Sequence, residues 1–174
     1  MISFTVDGVR FNLRAAAVII DEGHVLLHRA SYEAFWSLPG GRVEAGESAA
    51  ATVARELAEE LGPTLDARVE RLLWVIENFF RYEGTQCHEL GMYYLVTLGA
   101  SSSLLAKDRI HDGIEDDLPL HEGEHVRLIF QWFPLDSLVR VPLYPTLLRT
   151  RLANLPTTTE LVTHIDPDVD TVAG

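Results

Sequence analysis

A group of acidic residues in a helix-forming segment is the part of this sequence best suited to chemistry. Glu59 and Glu60 follow Glu56 by three and four positions. At about 100° per residue the three carboxylates fall within about a third of a turn of one helix face. Like charges this close repel each other, and a divalent cation removes that repulsion. Carboxylate oxygens without cysteine sulfur suit Mg²⁺ or Mn²⁺ rather than zinc.

The same three acids have a simpler interpretation as a solvated, charged helix face. Charge runs are usually solvent-exposed, and Arg55 is spaced at i,i+4 to pair with Glu59. The residues before the helix favour the chemical interpretation. Gly40 and Gly41 let the backbone bend sharply and present a carbonyl oxygen, which a metal ligand from the main chain requires.

The helix that carries these acids has clear start and stop signals. Ser48 is a good N-cap, an alanine-rich stretch follows it, and Gly62 and Pro63 favour termination. The valine, leucine and alanine side chains of this segment share a face away from the acids. We therefore predict that one side of the helix packs on a core and the other side gathers the carboxylates.

The spacing of these residues resembles the signature box of the Nudix hydrolases. Gly41 is followed after five residues by Glu47, and after seven more by the run from Arg55 to Gly62, so that seven identities fall at the family's spacing. Chance agreement of this kind is on the order of 10⁻⁹ per starting position. One position departs, because Pro63 replaces the final aliphatic residue and so alters how the chain leaves the helix.

This resemblance implies a fold, a reaction and roles for the box residues. The family has an α/β (α+β) fold, in which a mixed β-sheet is sandwiched between α-helices. Its members hydrolyse a nucleoside diphosphate linked to another group and use Mg²⁺ or Mn²⁺. Carried over by position, the metal-ligand candidates are Gly41, Glu56, Glu59 and Glu60. Arg55 and Glu47 would orient these ligands.

The carboxylate that takes a proton from the attacking water is left open by the sequence. Glu56 and Glu59 are the preferred candidates, and Glu89, Glu122 and Glu124 are alternatives because the family places its base variably outside the box. Two other functions also fit the resemblance. One is a regulatory module that binds a nucleotide without hydrolysing it, and the other is an isomerase on the same fold. The complete acidic set favours the hydrolase.

Several residues outside the box are candidates for contacts with substrate. Arg29 ends a predicted strand, and its guanidinium can bind phosphate oxygens. Arg81 and Tyr82 lie near a predicted hairpin end, where they can hold a phosphate or stack on a base. Glu122 and Glu124 are the acids nearest the following strand, and we include them in the same set.

The rest of the chain is predicted to form a single domain over residues 1–174 that positions this helix. Strands are predicted at 2–6, 10–20, 24–29, 67–82, 86–98 and 126–133, with a last edge strand at 160–165. We predict a short helical turn at 134–138 and an amphipathic helix at 144–154. Residues 100–124 are predicted to form a mobile acidic loop, and residues 166–174 a frayed tail.

Composition limits the partners and the compartment. A net charge of −12 argues against a nucleic-acid polymer or an anionic membrane as the main partner. It does not argue against a small, nucleotide-derived diphosphate that arrives with its metal ion. No stretch approaches the ~20 apolar residues of a membrane span, and no basic segment precedes an apolar one at the start, so we expect a cytoplasmic protein. The N-terminal hairpin is a candidate contact for a homodimer.

Overall fold

The computed structural model describes residues 1–115 and 126–167. Two α-helices occur in this part of the chain, α1 (Ala49–Leu61) and α2 (Leu148–Arg151), together with 3₁₀ helices at Ser103–Leu105 and Leu135–Arg140. The strands are β1 (Ser3–Val6), β2 (Val9–Asp21), β3 (His24–Ala30), β4 (Gly40–Arg42), β5 (Ala67–Tyr82), β6 (Thr85–Leu98), β7 (His111–Glu115), β8 (Val126–Pro134) and β9 (Glu160–Ile165).

Strand β2 is the centre of a mixed sheet in the order β7-β8-β3-β2-β6-β5-β9. One edge of β2 pairs in parallel with β6 over most of its length. The other edge is shared in turn by β1, β4 and β3, all antiparallel to it. β5 and β6 form the long hairpin that the sequence predicted, and β9 adds to β5 as a parallel edge strand.

The two halves of the sheet separate where β3 leaves β2. These strands pair only through Ile20 with Val25 and Asp21 with His24. Beyond that point β3 follows β8, while the short strand β4 occupies the edge of β2 at Arg14 to Ala16. A cleft therefore opens between β3 and the central strands, and the turn that precedes α1 lies beside it.

Both faces of the central strand are covered, as a run of continuous apolar residues predicts. On one face α1 packs through Val53 and Leu57 against a cluster that includes Ala15 and Ile19. On the other face the 3₁₀ helix at Leu135–Arg140 and α2 pack on a second cluster around Val18. The predicted sheet between helical layers is confirmed, although the second layer consists of short helices.

Helix α1 begins and ends at the predicted signals. The Ser48 side chain accepts a hydrogen bond of 3.2 Å from the Ala51 backbone N–H, which satisfies one of the first-turn donors. Gly62 follows the last helical residue with φ of +100°, a conformation that suits glycine.

The predicted amphipathic helix at 144–154 is wrong for most of its length. Only Leu148–Arg151 is α-helical, and Leu148 N–H donates to the carbonyl of Pro145 in a turn that precedes it. Proline at 145 has no N–H to give a helix that began earlier. The periodic leucines still pack inward, because Leu148 and Leu152 are fully buried.

Parts of the predicted loop and tail contain secondary structure or buried residues where the structure describes them. Within 100–124, Ser103–Leu105 form a 3₁₀ helix, and His111–Glu115 pair with β8. The carbonyl of Leu104 accepts a hydrogen bond of 2.7 Å from the indole N–H of Trp132. Asp166 is buried rather than frayed. Residues 116–125 and 168–174 lie outside the described part. Among the described residues, no helix is both long and apolar enough to cross a membrane.

Candidate active site

The turn before α1 brings its backbone against a carboxylate of the helix. Gly41 pairs with Ala15 of β2 and has no side chain to keep α1 away. A Cβ at Gly41 would lie 2.2 Å from Oε1 of Glu56, which is inside any permitted contact. The glycine is therefore required for the close approach of Glu56 to the turn.

Two of the three helix carboxylates are buried, and the third is not. Glu56 is 7% exposed and Glu60 is 4% exposed, whereas the side chain of Glu59 is 56% exposed. Glu56 and Glu60 lie at the border of the apolar face, since they share the buried side of α1 with Val53 and Leu57. The prediction that all three carboxylates lie on the face opposite the core is thus wrong for Glu56 and Glu60. Both lie on the buried side of α1, where the apolar core gives way to the polar cleft.

Arg55 binds the acids of the box together. Its Nε and Nη2 donate to the two carboxylate oxygens of Glu47 at 3.0 and 3.1 Å, and its Nη1 donates to Glu59 at 2.8 Å. The same Nη1 lies 3.0 Å from Oε1 of Glu56. Hydrogen bonds from Arg55 and then from Thr52 outweigh burial and lower the pKa of Glu47 to about 2. These contacts give Arg55 and Glu47 the geometry of positioning residues.

Glu60 faces a histidine that the sequence did not point to. Nδ1 of His28, on β3, lies 3.7 Å from Oε2 of Glu60. Burial, aided by the nearby charge of Arg14, lowers the pKa of His28 to about 3. His28 is therefore neutral at physiological pH, and it lines the cleft as an uncharged polar side chain next to Glu60.

The residues around Gly41 fit a hard divalent cation. Glu56 and Glu60 offer oxygen donors in a buried position, and the space that keeps Glu56 against the turn exists only because residue 41 is glycine. No three acidic, histidine or cysteine side chains in residues 1–115 and 126–167 already converge as a ligand set. Mg²⁺ is usually held by one or two carboxylates, with water and substrate phosphate oxygens completing its shell, and Glu56 and Glu60 are two such carboxylates.

A cavity of about 620 Å³ occupies the cleft between β3 and the central strands. Its walls carry four acidic residues, which are Glu33, Glu83, Glu89 and Asp166. Its walls include four arginines, which are Arg10, Arg14, Arg29 and Arg42. Its walls also include six phenylalanine and tyrosine residues, which are Tyr32, Phe35, Phe80, Tyr82, Tyr93 and Tyr144. Guanidinium groups bind phosphate and aromatic rings stack on bases, so the cavity suits a nucleotide.

Arg14 connects this cavity to the helix carboxylates. Its Nη2 donates to the carbonyl of Leu38 at 3.1 Å, which fixes it near the turn. Burial opposes its charge, but the attraction of Glu89, with smaller contributions from Tyr93, Glu60 and Glu56, outweighs burial and raises the pKa of Arg14. The guanidinium is thus a permanent cation beside the carboxylates and in contact with the cavity.

The structure brings some of the other predicted site residues to the cavity. Tyr82 lines it, and burial raises the pKa of its phenol to about 12. Glu89 lies on the floor, where burial raises the pKa of its carboxyl although Arg14 and Arg42 oppose the shift. Glu89 is therefore in the cleft but in no ligand set with Glu56 and Glu60 among the described residues.

The remaining predicted contacts have other roles or positions. Arg29 lines the cavity, but its Nη1 donates to the carbonyl of Glu33 at 2.5 Å and its guanidinium stacks on Trp36 at 5.1 Å. It therefore holds the loop after β3. Arg81 is exposed and does not line the cavity, because it alternates with Tyr82 and faces the other way. Glu122 and Glu124 lie outside the described residues.

Several cavity residues were missed by sequence reasoning, although one signal was present. Arg10, Asn12 and Arg14 alternate along β2 immediately before its buried apolar run, and this period of two placed them on one face. His28 and Asn78 carry no comparable signal, since each stands directly beside another polar residue, Arg29 and Glu77, and no alternation of polar residues marks their face. Only the pairing of distant strands brings them to the cleft.

Comparisons with known proteins agree with this geometry. The NUDIX domain family model matches residues 10–153. The RNA pyrophosphohydrolase of Halorhodospira halophila is 27% identical over 143 residues, which cover 76% of this chain and 73% of that protein. YjhB of Bacillus subtilis is 40% identical over 60 residues, and the match spans only 28% of that protein. The crystal structure of an ADP-ribose pyrophosphatase from Streptococcus suis has the same fold, with a TM-score of 0.52 at 19% identity over 87% of this chain and 98% of that chain.

Proposed function

Because the chain belongs to the NUDIX family, whose domain model matches residues 10–153, we infer that it hydrolyses a diphosphate linkage in a small, nucleotide-derived molecule. The reaction breaks a P–O bond of the anhydride and forms a new P–O bond to water. We further propose that the reaction requires Mg²⁺ or Mn²⁺. The names of relatives suggest the reaction type, whereas the residues of this chain supply the argument for the site.

One observation carries the proposal. Two buried carboxylates border a cavity whose walls hold four arginines: Glu56 lies against the glycine turn, and Glu60 lies 3.7 Å from His28, which lines the cavity. Carboxylate oxygens are the protein ligands that Mg²⁺ prefers, and guanidinium groups bind phosphate oxygens. A metal-bound diphosphate requires carboxylates for the cation and, next to them, guanidinium groups for the phosphate oxygens.

The metal would be held by Glu56 and Glu60, with Gly41 and Glu59 as further candidate ligands. A bound Mg²⁺ or Mn²⁺ would polarise phosphate oxygens and make a water more acidic. The protein groups do the remaining work. Arg14 and the other cavity arginines neutralise the diphosphate and hold it in the cleft, where fixed charges act more strongly than in water.

Glu56 is the better placed of the two preferred general bases. It is buried against the turn, whereas Glu59 faces solvent and is paired with Arg55. A carboxylate has two oxygens, so Glu56 can contact a cation with one oxygen and accept the water's proton with the other. Arg55 and Glu47 would limit its motion through the contacts already described. Glu89 is the alternative base within the described residues, and its raised pKa favours the protonated form.

A turnover panel with Mg²⁺ and Mn²⁺ tests the proposal. Nucleoside triphosphates, ADP-ribose, dinucleoside polyphosphates, nucleotide sugars and 5′-triphosphorylated RNA would be incubated with the protein, and products separated by ion-exchange chromatography. We expect phosphate or a nucleoside monophosphate to be released from at least one small molecule, with loss of the activity in EDTA. The control is Glu60→Gln, which preserves the shape of the side chain.

Three results would contradict the proposal. Conversion without release of phosphate or nucleotide monophosphate would indicate the isomerase. Tight binding without turnover would indicate the regulatory module. Cleavage of RNA ends alone would contradict the small-molecule substrate.

A further inference from the structure

The strand register aligns aromatic and aliphatic side chains in one row across the sheet. The row consists of Phe4 of β1, Phe11 of β2, His88 of β6, Phe79 of β5 and Ile165 of β9, each paired with the next. Side chains that pair across neighbouring strands point to the same face of a sheet. These five residues therefore form a continuous central row that crosses five strands.

Two shorter rows flank the central row, two residues away along each strand. The first contains Val6, Val9, Gln86 and Arg81. The second, nearer to α1, contains Leu13, Leu90, Glu77 and Thr163. We call the three rows together the outer face. The residues that line the cavity alternate with them along β2, β5 and β6, so the outer face and the cavity lie on opposite sides of the sheet.

The outer face is exposed in the single chain, most strongly at its two edges. Phe4 is 54% exposed and Ile165 is 76% exposed. The rings of the central row hold one another, since Phe4 stacks on Phe11 at 5.1 Å and Phe79 stacks on His88 at 4.4 Å. These contacts leave the rings little conformational freedom to lose on binding. Contiguous apolar patches of this kind mark sites of association on protein surfaces.

The size of the outer face matches what a specific protein interface needs. Five strands spaced by about 4.8 Å span ~24 Å, and three rows spaced by about 6.8 Å span ~20 Å. One face thus covers roughly 480 Å² and two such faces roughly 1,000 Å², before the relief of the side chains is counted. Specific interfaces bury about 1,000 Å² or more in total. A second face of equal size therefore suffices to cover this one.

The charges of the outer face make it complementary to a second copy of itself. Glu77 and Arg81 lie two residues before and two residues after Phe79 on β5, and all three point to the same side. Two copies can meet across a two-fold axis that runs along the central row, with their strands antiparallel. Arg81 of one protomer then lies opposite Glu77 of its partner, and this contact occurs twice. The two Phe79 rings meet between the charge pairs.

We propose that the outer face joins two copies of this chain in a two-fold dimer, with the central row of one protomer packed on the central row of its partner. The N-terminal hairpin, which the sequence suggested as a dimer contact, contributes Phe4 and Phe11 to this row. Sheets that pack face to face keep their strand directions within about 30° of each other, which keeps Arg81 within reach of Glu77. The dimer leaves both cavities facing away from the interface, and it does not depend on the proposed function.

Sedimentation equilibrium of the full chain from about 1 to about 100 µM tests the proposal without the reaction. We expect the mass of two chains in the wild type, with a Kd of about 1 µM or tighter. Ile165→Glu and Phe4→Glu change side chains that are exposed in the single chain, so the fold tolerates them. Each places two like charges opposite each other in the dimer and should weaken it by about 100-fold or more. The control is Val139→Glu, since Val139 is 61% exposed in the 3₁₀ helix on the other side of the sheet, and it should keep the wild-type Kd.

A charge exchange tests how the two copies are aligned. Arg81→Glu and Glu77→Arg should each weaken the dimer about tenfold, because like charges then lie opposite each other in two places. The double variant should return the Kd to within about threefold of the wild type. Recovery in the double variant is the informative result, since Glu77 also contacts His88 at 3.1 Å and a single change there alters the protomer as well.

Three results would overturn the proposal. The first is a wild-type monomer at about 100 µM, whether the outer face stays open or other residues of the same chain cover it. The second is a dimer that survives both Ile165→Glu and Phe4→Glu, or that is lost equally in Val139→Glu, because the interface would then lie elsewhere. The third is a double variant that binds no more tightly than the two single variants, which would exclude the two-fold alignment.

Discussion

Substitution of Gly41 by alanine adds one methyl group between the turn and the carboxylate that we assign to the reaction. The new Cβ would lie 2.2 Å from Oε1, 2.3 Å from Cδ and 2.6 Å from Oε2 of Glu56. Normal contacts begin near ~3.5 Å, so the carboxylate must move by more than about 1 Å. The φ of Gly41 is not in the left-handed region, so the backbone itself tolerates alanine.

This displacement should separate activity from stability. The colliding atoms are the end of a flexible side chain, so the folded state adjusts at a cost of about 1 kcal/mol or less. Misplacement of a catalytic group by ~1 Å can reduce the rate by about 10²-fold. We therefore expect Gly41→Ala to lower kcat by about two orders of magnitude, while Tm falls by no more than about 4 °C.

The assay compares kcat with Mg²⁺ and thermal unfolding for two alanine variants of the same turn. Gly46 has open space around its Cβ position but a φ of +88°, so Gly46→Ala is strained by about 1 kcal/mol without touching Glu56. We expect it to lose stability and keep kcat, which is the reverse of Gly41→Ala. Wild-type kcat in Gly41→Ala would refute the placement of Glu56 as a reacting group.

Three further predictions follow from the surroundings of the box. Arg14→Gln should raise KM about tenfold or more with a smaller change in kcat, since the lost guanidinium binds the diphosphate; an unchanged KM in steady-state kinetics would exclude that contact. The pKa of His28 is lowered to about 3, so its contribution to the free energy of unfolding is complete above the unfolded pKa near 6.5 and is lost as pH falls from about 6.5 toward 3. In that pH range, urea unfolding should show a free energy of unfolding that changes by up to about 1.4 kcal/mol per pH unit, and the change should be smaller in His28→Gln. The pKa of Glu47 is lowered from 4.5 to about 2, so its ionised carboxylate stabilises the fold above pH 4.5, and this stabilisation is lost as pH falls toward 2. Glu47→Gln should therefore destabilise the protein at pH 7 and less so near pH 2. Equal destabilisation at both pH values would contradict the ion pair with Arg55.

Local signals in the sequence were sufficient for most elements and for the box. Ser48 and Gly62 fixed the bounds of α1, and apolar runs between turn residues fixed the long hairpin of β5 and β6. These features depend on neighbouring residues, so periodicity and capping rules apply to them. The helix predicted at 144–154 is wrong for most of its length because the chain uses Pro145 in a turn, although the leucines that follow it have helical spacing.

The cavity could not be predicted from local sequence signals, because residues far apart in the sequence form it. His28 meets Glu60 only because β3 leaves β2, and Asn78 meets Asp166 only because β9 adds to β5. The difference in exposure between Glu59 and the two buried acids also depends on tertiary structure. The positions of residues around a helix do not predict how far a cleft extends beyond the core. Sequence spacing was therefore sufficient to single out the residues of the box, while the topology of the sheet determines which distant residues lie beside them.

The central claim is that Glu56 and Glu60 together hold a hard cation for attack of water on a phosphoanhydride. The most direct measurement is the Mg²⁺-dependent rate of diphosphate cleavage by Glu60→Gln, with Glu44→Gln as an exposed acidic control on the same turn. We predict a loss on the order of 10³-fold in Glu60→Gln with the fold retained, and a wild-type rate in the control. A Glu60→Gln enzyme that cleaves its substrate at the wild-type rate and with the same Mg²⁺ requirement would contradict the claim.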